Sequence, residues 1–223
     1  MKKIMFNDKY GLTEAVFSGR KTQTRRIINP QPEVSERMGM VWKGYAYGIT
    51  SPYGSPYFLK DVYHNFLSGT NYPQDRRYKV GEVVAVAQSY KDAGYDPDML
   101  QTATINGNIG DYPISQLPGW NNKMFTYPPM MPHQIRITNV RVERLQDISD
   151  EDCLAEGIYK DDDQTHFNGY AFQITRDQYG NMLSKQWCST PREAYAALID
   201  RISRKGAWES NPYVFVYDFE LVK

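Results

Sequence analysis

Histidine and cysteine are scarce in this chain of 223 residues, with three of the first and two of the second. Cys153 and Cys188 do not fall at metal-ligand spacing, and His64, His133 and His166 are scattered. The residues therefore offer neither a structural zinc site nor metal-assisted chemistry, no cofactor is expected, and the thiols read as reduced. Net charge is missing as well: 26 Lys and Arg balance 26 Asp and Glu. No overall field draws the molecule to nucleic acid or to an anionic membrane, so any polyanion contact has to come from a local patch. No apolar run approaches the roughly 20 residues of a membrane-spanning helix. The opening MKKIMFNDKY has no signal-peptide core. An intracellular, cytoplasmic protein with no membrane partner is the expectation, and the oligomeric state is left open.

Tyrosine, by contrast, is abundant, with 18 copies, many in Pro/Gly-rich stretches such as GYAYGITSPYGSPYF at 44–58. Such rings either stack on bases or pin long loops to a small core by their apolar bodies. Between these stretches the chain becomes periodic. MKKIMF reads as a short strand, LTEAVFSG as a helix ended by Gly19, and TRRII (24–28) as a strand. An apolar strand follows Gly81. IRITNVRVERL (135–145) changes its hydrophobic phase part-way, the mark of a β-bulge. ISDEDCLAEG is a short helix capped by Ser149 and ended by Gly157. Thr190-Pro191-Arg192-Glu193 is a strong helix start, followed by a stripe of Tyr195, Leu198, Ile199 and Ile202, with Gly206 as the stop. YVFVYDFELV (213–222) is the closing strand. About five strands and three helices without evident βαβ units predict an α+β domain built on a small, mostly antiparallel β-barrel. Residues 29–78, 91–131 and 159–188 read as irregular insertions into that single domain, and Trp208, Asn211 and Pro212 as a packing corner.

The densest cationic patch is GRKTQTRR, residues 19–26. A threonine hydroxyl becomes a nucleophile when a base takes its proton, and a neutral lysine is one such base. Lys21 lies in the connection before the strand that holds Thr24, and Arg20, Arg25 and Arg26 would lower its pKa by like-charge repulsion. On an exposed turn the same residues would simply be solvated, and the octapeptide alone favours that plainer reading. Glu156 sits in the last turn of its predicted helix, where the macrodipole disfavours an acid. Residues that break a local rule often serve a site, although an exposed surface glutamate tolerates the same cost.

FSGRKTQTRR at 17–26, YKVGEVVAV at 78–86, MPHQIRITNVRVERLQDISDEDCLAEGI at 131–158 and GAWESNPYVFVYDFELV at 206–222 together resemble the ASCH family of PUA-like β-barrels. They are most similar to its longer phage and prophage members. Gly19, Lys21 and Arg26 fit the family signature, and Thr24 stands where many members have glutamate. In that substitution the chain resembles the small amidohydrolases of the family, which remove the acetyl group from N4-acetylcytidine with a lysine, a threonine and a glutamate. The resemblance implies Lys21, Thr24 and Glu156 as the catalytic set, with Arg26 or backbone N–H groups stabilising the oxyanion. It also implies a competing function, a non-catalytic RNA-binding module whose ligand is held by Arg20, Lys21, Arg25, Arg26 and Arg136. On either reading the partner is a nucleoside or RNA.

Overall fold

The computed structural model describes residues 1–35, 39–42, 45–49, 59–61, 77–161, 169–176 and 182–222. In chain order the elements are β1 (Lys3–Ile4), α1 (Leu12–Phe17), β2 (Gln23–Ile27), β3 (Glu33–Ser35), β4 (Gly39–Trp42), β5 (Tyr45–Ile49) and β6 (Leu59–Asp61). They continue with β7 (Val83–Val86), β8 (Leu100–Ile105), β9 (Asn108–Pro113), β10 (Gln134–Arg144) and α2 (Asp150–Ala155). The last are β11 (Tyr159–Asp161), β12 (Gly169–Arg176), β13 (Met182–Cys188), α3 (Pro191–Ile202) and β14 (Tyr213–Leu221).

The five strands read from the periodic segments form one sheet in the order β1-β7-β10-β14-β2. Its ladders are antiparallel except β1 with β7, which run parallel. The phase switch in β10 is a register shift against β14 between Ile137 and Asn139, which lets Ile135 and Ile137 at one end and Val142 at the other all reach the interior. β14 is an interior strand, paired on both sides by β10 and β2, and it buries Val214, Val216 and Tyr217.

The barrel expectation is overturned. The fold is a mixed α/β arrangement of open sheets, and among the described residues β1 and β2 do not pair with each other. Closure needs the two outer strands to run side by side with consistent tilt and stagger. β1 is two residues long and the chain then turns into a 3-10 helix, Asp8–Tyr10, so it presents no ladder to β2. A side-chain bond joins β2 to the segment just after β1 instead, Arg26 Nη2 donating to the Met5 carbonyl at 2.6 Å.

The insertions are not irregular either. Residues 29–78 carry the four-stranded sheet β3-β4-β5-β6, residues 91–131 the β8–β9 hairpin, and residues 159–188 the sheet β11-β12-β13. Their strands are short, three to eight residues each, and are separated by Gly- and Pro-containing stretches, so they gave no sustained period to read. Most of the tyrosine-rich stretch 44–58, with His64 and His166, lies outside the described residues.

α3 starts as its sequence predicts, with Pro191 at its first position and the Thr190 hydroxyl accepting from the Glu193 amide. It packs on β12 and β13 and touches α2. Burying Leu198 and Ile199 contributes about 1.5–3 kcal/mol each. The helix stops at Ile202, before Gly206. The Trp208 corner supports it: the indole meets the Tyr195 ring edge-on at 6.2 Å, and Asn211 Oδ1 accepts from the Gln146 amide.

Candidate functional site

The connection between α1 and β2 is pinned by backbone bonds on both sides. Gly19, at φ +73°, reverses the chain after α1. The Lys21 amide then donates to the Ala15 carbonyl at 2.8 Å and the Thr22 amide to Ala155 at 2.9 Å. The second bond ties the basic turn to the end of α2, and it carries Lys21 into the interior, where only 2% of the residue stays exposed. The solvated-turn reading of GRKTQTRR thus fails at Lys21.

α2 is capped by Ser149, whose hydroxyl accepts from the Asp152 amide, and ends at Glu156. Lys21 Nζ donates to Glu156 Oε2 at 2.5 Å and to the Glu156 carbonyl at 2.7 Å. The ammonium thus meets both the acid and the electron-rich end of the helix, which explains how glutamate is tolerated there. Burial holds the Lys21 pKa below its usual 10.5; Glu156 opposes the shift, while Arg26 and Arg25 reinforce it. Desolvation, which the amino-acid pattern alone could not predict, outweighs the like-charge repulsion.

Arg25 has its guanidinium committed. It reaches Glu143 at 2.5 Å, Asp152 at 2.7 Å and Glu156 at 3.3 Å, and donates to the Gln23 side chain. Arg141 shares Asp152 and Glu143 and adds Asp218 at 2.7 Å. This network joins β2, β10, α2 and β14. It fixes the site and leaves Arg25 little capacity for a ligand.

A cavity of ≈ 1050 Å³ lies at the open edge of the sheet. Its walls come from residues 5–9, from residues 24–29 of β2 and the turn after it, and from α3 through Tyr195, Leu198 and Ile199. Lys21, Thr24, Arg26 and Glu156 all line it. Thr24 is buried, and its hydroxyl makes no hydrogen bond to any described residue. No hydrogen bond joins it to Lys21 Nζ either. Arg20 does not line the cavity: it lies over the Tyr159 ring at 5.0 Å and donates to the Gly157 carbonyl. Arg136 is exposed on β10, 3.6 Å from Glu220, and is likewise absent from the wall.

Three groups escaped the sequence reading. The Tyr195 hydroxyl, read as part of an apolar stripe, is fully buried on the cavity wall with no hydrogen-bond partner among the described residues, and burial pushes its pKa well above 10. Lys9 and Arg77 join the wall from segments far apart in sequence. Among the described residues no three His, Cys, Asp or Glu side chains are grouped to hold a metal ion, and no helix is long and apolar enough to cross a membrane. No protein-family model, curated protein or solved structure matches the chain, and the ASCH resemblance rests on its quoted motifs.

Proposed function

We propose that this chain is an amidohydrolase that removes the acyl group from N4-acetylcytidine or a closely similar nucleobase amide. The observation that carries the reading is the Lys21–Glu156 contact of 2.5 Å, buried in the wall of a cavity that Thr24 also lines. A lysine this desolvated sheds its proton more readily than one in water, and an unpartnered threonine hydroxyl lies three residues on. The resemblance to the ASCH amidohydrolases points to the same three side chains.

In the proposed reaction, neutral Lys21 accepts the Thr24 hydroxyl proton as Oγ1 attacks the acetyl carbonyl. The tetrahedral intermediate collapses by breaking the C–N bond, and Lys21 returns the proton to the departing N4 amine, leaving cytidine and a Thr24 ester. Water, deprotonated by Lys21, then attacks the ester carbonyl. Lys21 returns that proton to Thr24 Oγ1 as the C–O bond breaks, and the acetic acid formed leaves as acetate with its proton going to solvent. Glu156 holds Nζ in place and balances the ammonium formed in each half. The step needs Lys21 to turn from Glu156 towards Thr24, and apo sites often tighten such contacts only with substrate present.

The test is cytidine release from N4-acetylcytidine by the wild-type chain, Thr24→Val and Lys21→Met. Turnover in the wild type and its loss in both variants supports the reading; equal release from all three removes it. Tight retention of tRNA in a gel-shift assay without turnover would give preference to the binding module.

A further inference from the structure

The charge lining the cavity is lopsided. Six cations contribute to the described wall, Lys9, Lys21, Arg25, Arg26, Arg77 and Lys123, against two carboxylates, Asp8 and Glu156. Lys21 is engaged by Glu156, Arg25 by the carboxylates behind the wall, and Lys123 by Asp8 at 2.5 Å. Lys9, Arg26 and Arg77 make no ion pair with any described residue.

Arg26 is the most informative of the three. It is partly buried, flanked by the Phe6 ring at 5.9 Å, and among the described residues its side chain donates one hydrogen bond, to the Met5 carbonyl. A guanidinium has five N–H donors, and withdrawing one from water without a counter-ion is unfavourable. Burial disfavours the Arg26 charge most; Glu156 offsets part of that cost at a distance, and Arg77 adds to it by like-charge repulsion. Like charges held together at a cavity wall are stabilised by an anion arriving between them, and a planar guanidinium suits phosphate oxygens in particular. The volume leaves room for it: ≈ 1050 Å³ is just above the usual range of small-ligand pockets, roughly 300–1,000 Å³.

We propose that Arg26, Arg77 and Lys9 form a phosphate subsite, so that the ligand of this cavity is a phosphorylated cytidine and not the bare nucleoside. As a statement about substrate, this rests on the amidohydrolase reading; as a statement about binding, it is tested separately. Arg26 thereby serves the phosphate instead of the oxyanion.

Titration calorimetry of the wild-type chain with cytidine and with cytidine 5′-monophosphate reads the subsite without turnover. The monophosphate is expected to bind at least about tenfold more tightly, the size of one charge-assisted contact, and to weaken as salt is raised while cytidine does not. Arg77→Gln and Lys9→Gln, both at exposed positions, should each remove most of that preference. A short cytidine-containing RNA distinguishes the phosphate's source: binding tighter than the monophosphate assigns it to a polynucleotide, and weaker binding to a free nucleotide. Equal affinity for cytidine and the monophosphate, or a preference untouched by both variants, overturns the subsite. Monophosphate preference without hydrolysis of N4-acetylcytidine or its 5′-monophosphate keeps the subsite and removes the hydrolase; hydrolysis without the preference does the reverse.

Discussion

At the scale of single residues, the site is built around a cation withdrawn from water. Lys21 is pulled below its ordinary pKa of 10.5 by burial, with Glu156 working against the shift. If Lys21 is the base, activity rises with pH as the amine loses its proton, with an inflection below 10.5. Glu156→Gln removes the opposing carboxylate, so the inflection in kcat/KM should move to lower pH, and a pH–rate series on both proteins reads it directly. Loss of activity with an unmoved inflection would make Glu156 a merely structural partner. The same shift has a stability sign. Between the folded pKa and 10.5 the unfolded chain binds the extra proton, so this contribution to stability grows as pH rises through that window.

At the scale of elements, two glycines bracket the machinery, and they differ in what surrounds them. Gly19 ends α1 at φ +73°, and a Cβ there would meet nothing within 4 Å. Gly157 follows α2 at φ +108°, and a Cβ there would lie 3.2 Å from Leu12 Cδ2 and 3.7 Å from Lys21 Cβ. Gly19→Ala therefore carries the left-handed backbone cost alone, about 1–2 kcal/mol. Gly157→Ala adds crowding at the helix α1 contact and beside Lys21, and should lose about 1–3 kcal/mol more. Urea unfolding of the two variants checks the order; an equal loss would mean that Leu12 gives way freely. α2 also explains an oddity of pattern, since an acid at a helix end is tolerated once a lysine from another element is fastened to it.

At the scale of the whole molecule, an ion-pair network holds the sheet to α2. Arg25 and Arg141 bridge Glu143, Asp152 and Asp218 across β2, β10, α2 and β14. Burial alone would raise the Asp152 carboxyl, but hydrogen bonds from Arg25 and Gln23, with the charges of Arg25 and Arg141, hold it below 3.8. Its contribution is present above 3.8 and is lost as pH falls below that value, where the unfolded chain binds its proton first. Asp152→Asn should be less stable than wild type at neutral pH and should show a shallower loss of stability on acidification. Thermal unfolding followed from pH 6 downwards tests this, and parallel curves would show that Asp152 does not couple to folding.

Much of the scaffold was legible because it is periodic. The strands of the central sheet, the three helices, the bulge in β10 and the caps at Ser149 and Thr190 depend on alternation, spacing and cap chemistry within about a dozen residues, which a linear reading captures. Lys21, Thr24 and Glu156 were candidates by motif and by one broken helix rule. Tertiary packing alone decided the rest: that β1 is too short to close the sheet, that the insertions pair into sheets of their own, that Arg25 is consumed by carboxylates while Arg26 makes no ion pair with any described residue, and that Tyr195, Lys9 and Arg77 meet one cavity. Each of these depends on contacts between residues tens to hundreds of positions apart, and on how much water those contacts exclude. Burial, and with it the charge state of a lysine, is a property of the folded surroundings and not of neighbours along the chain.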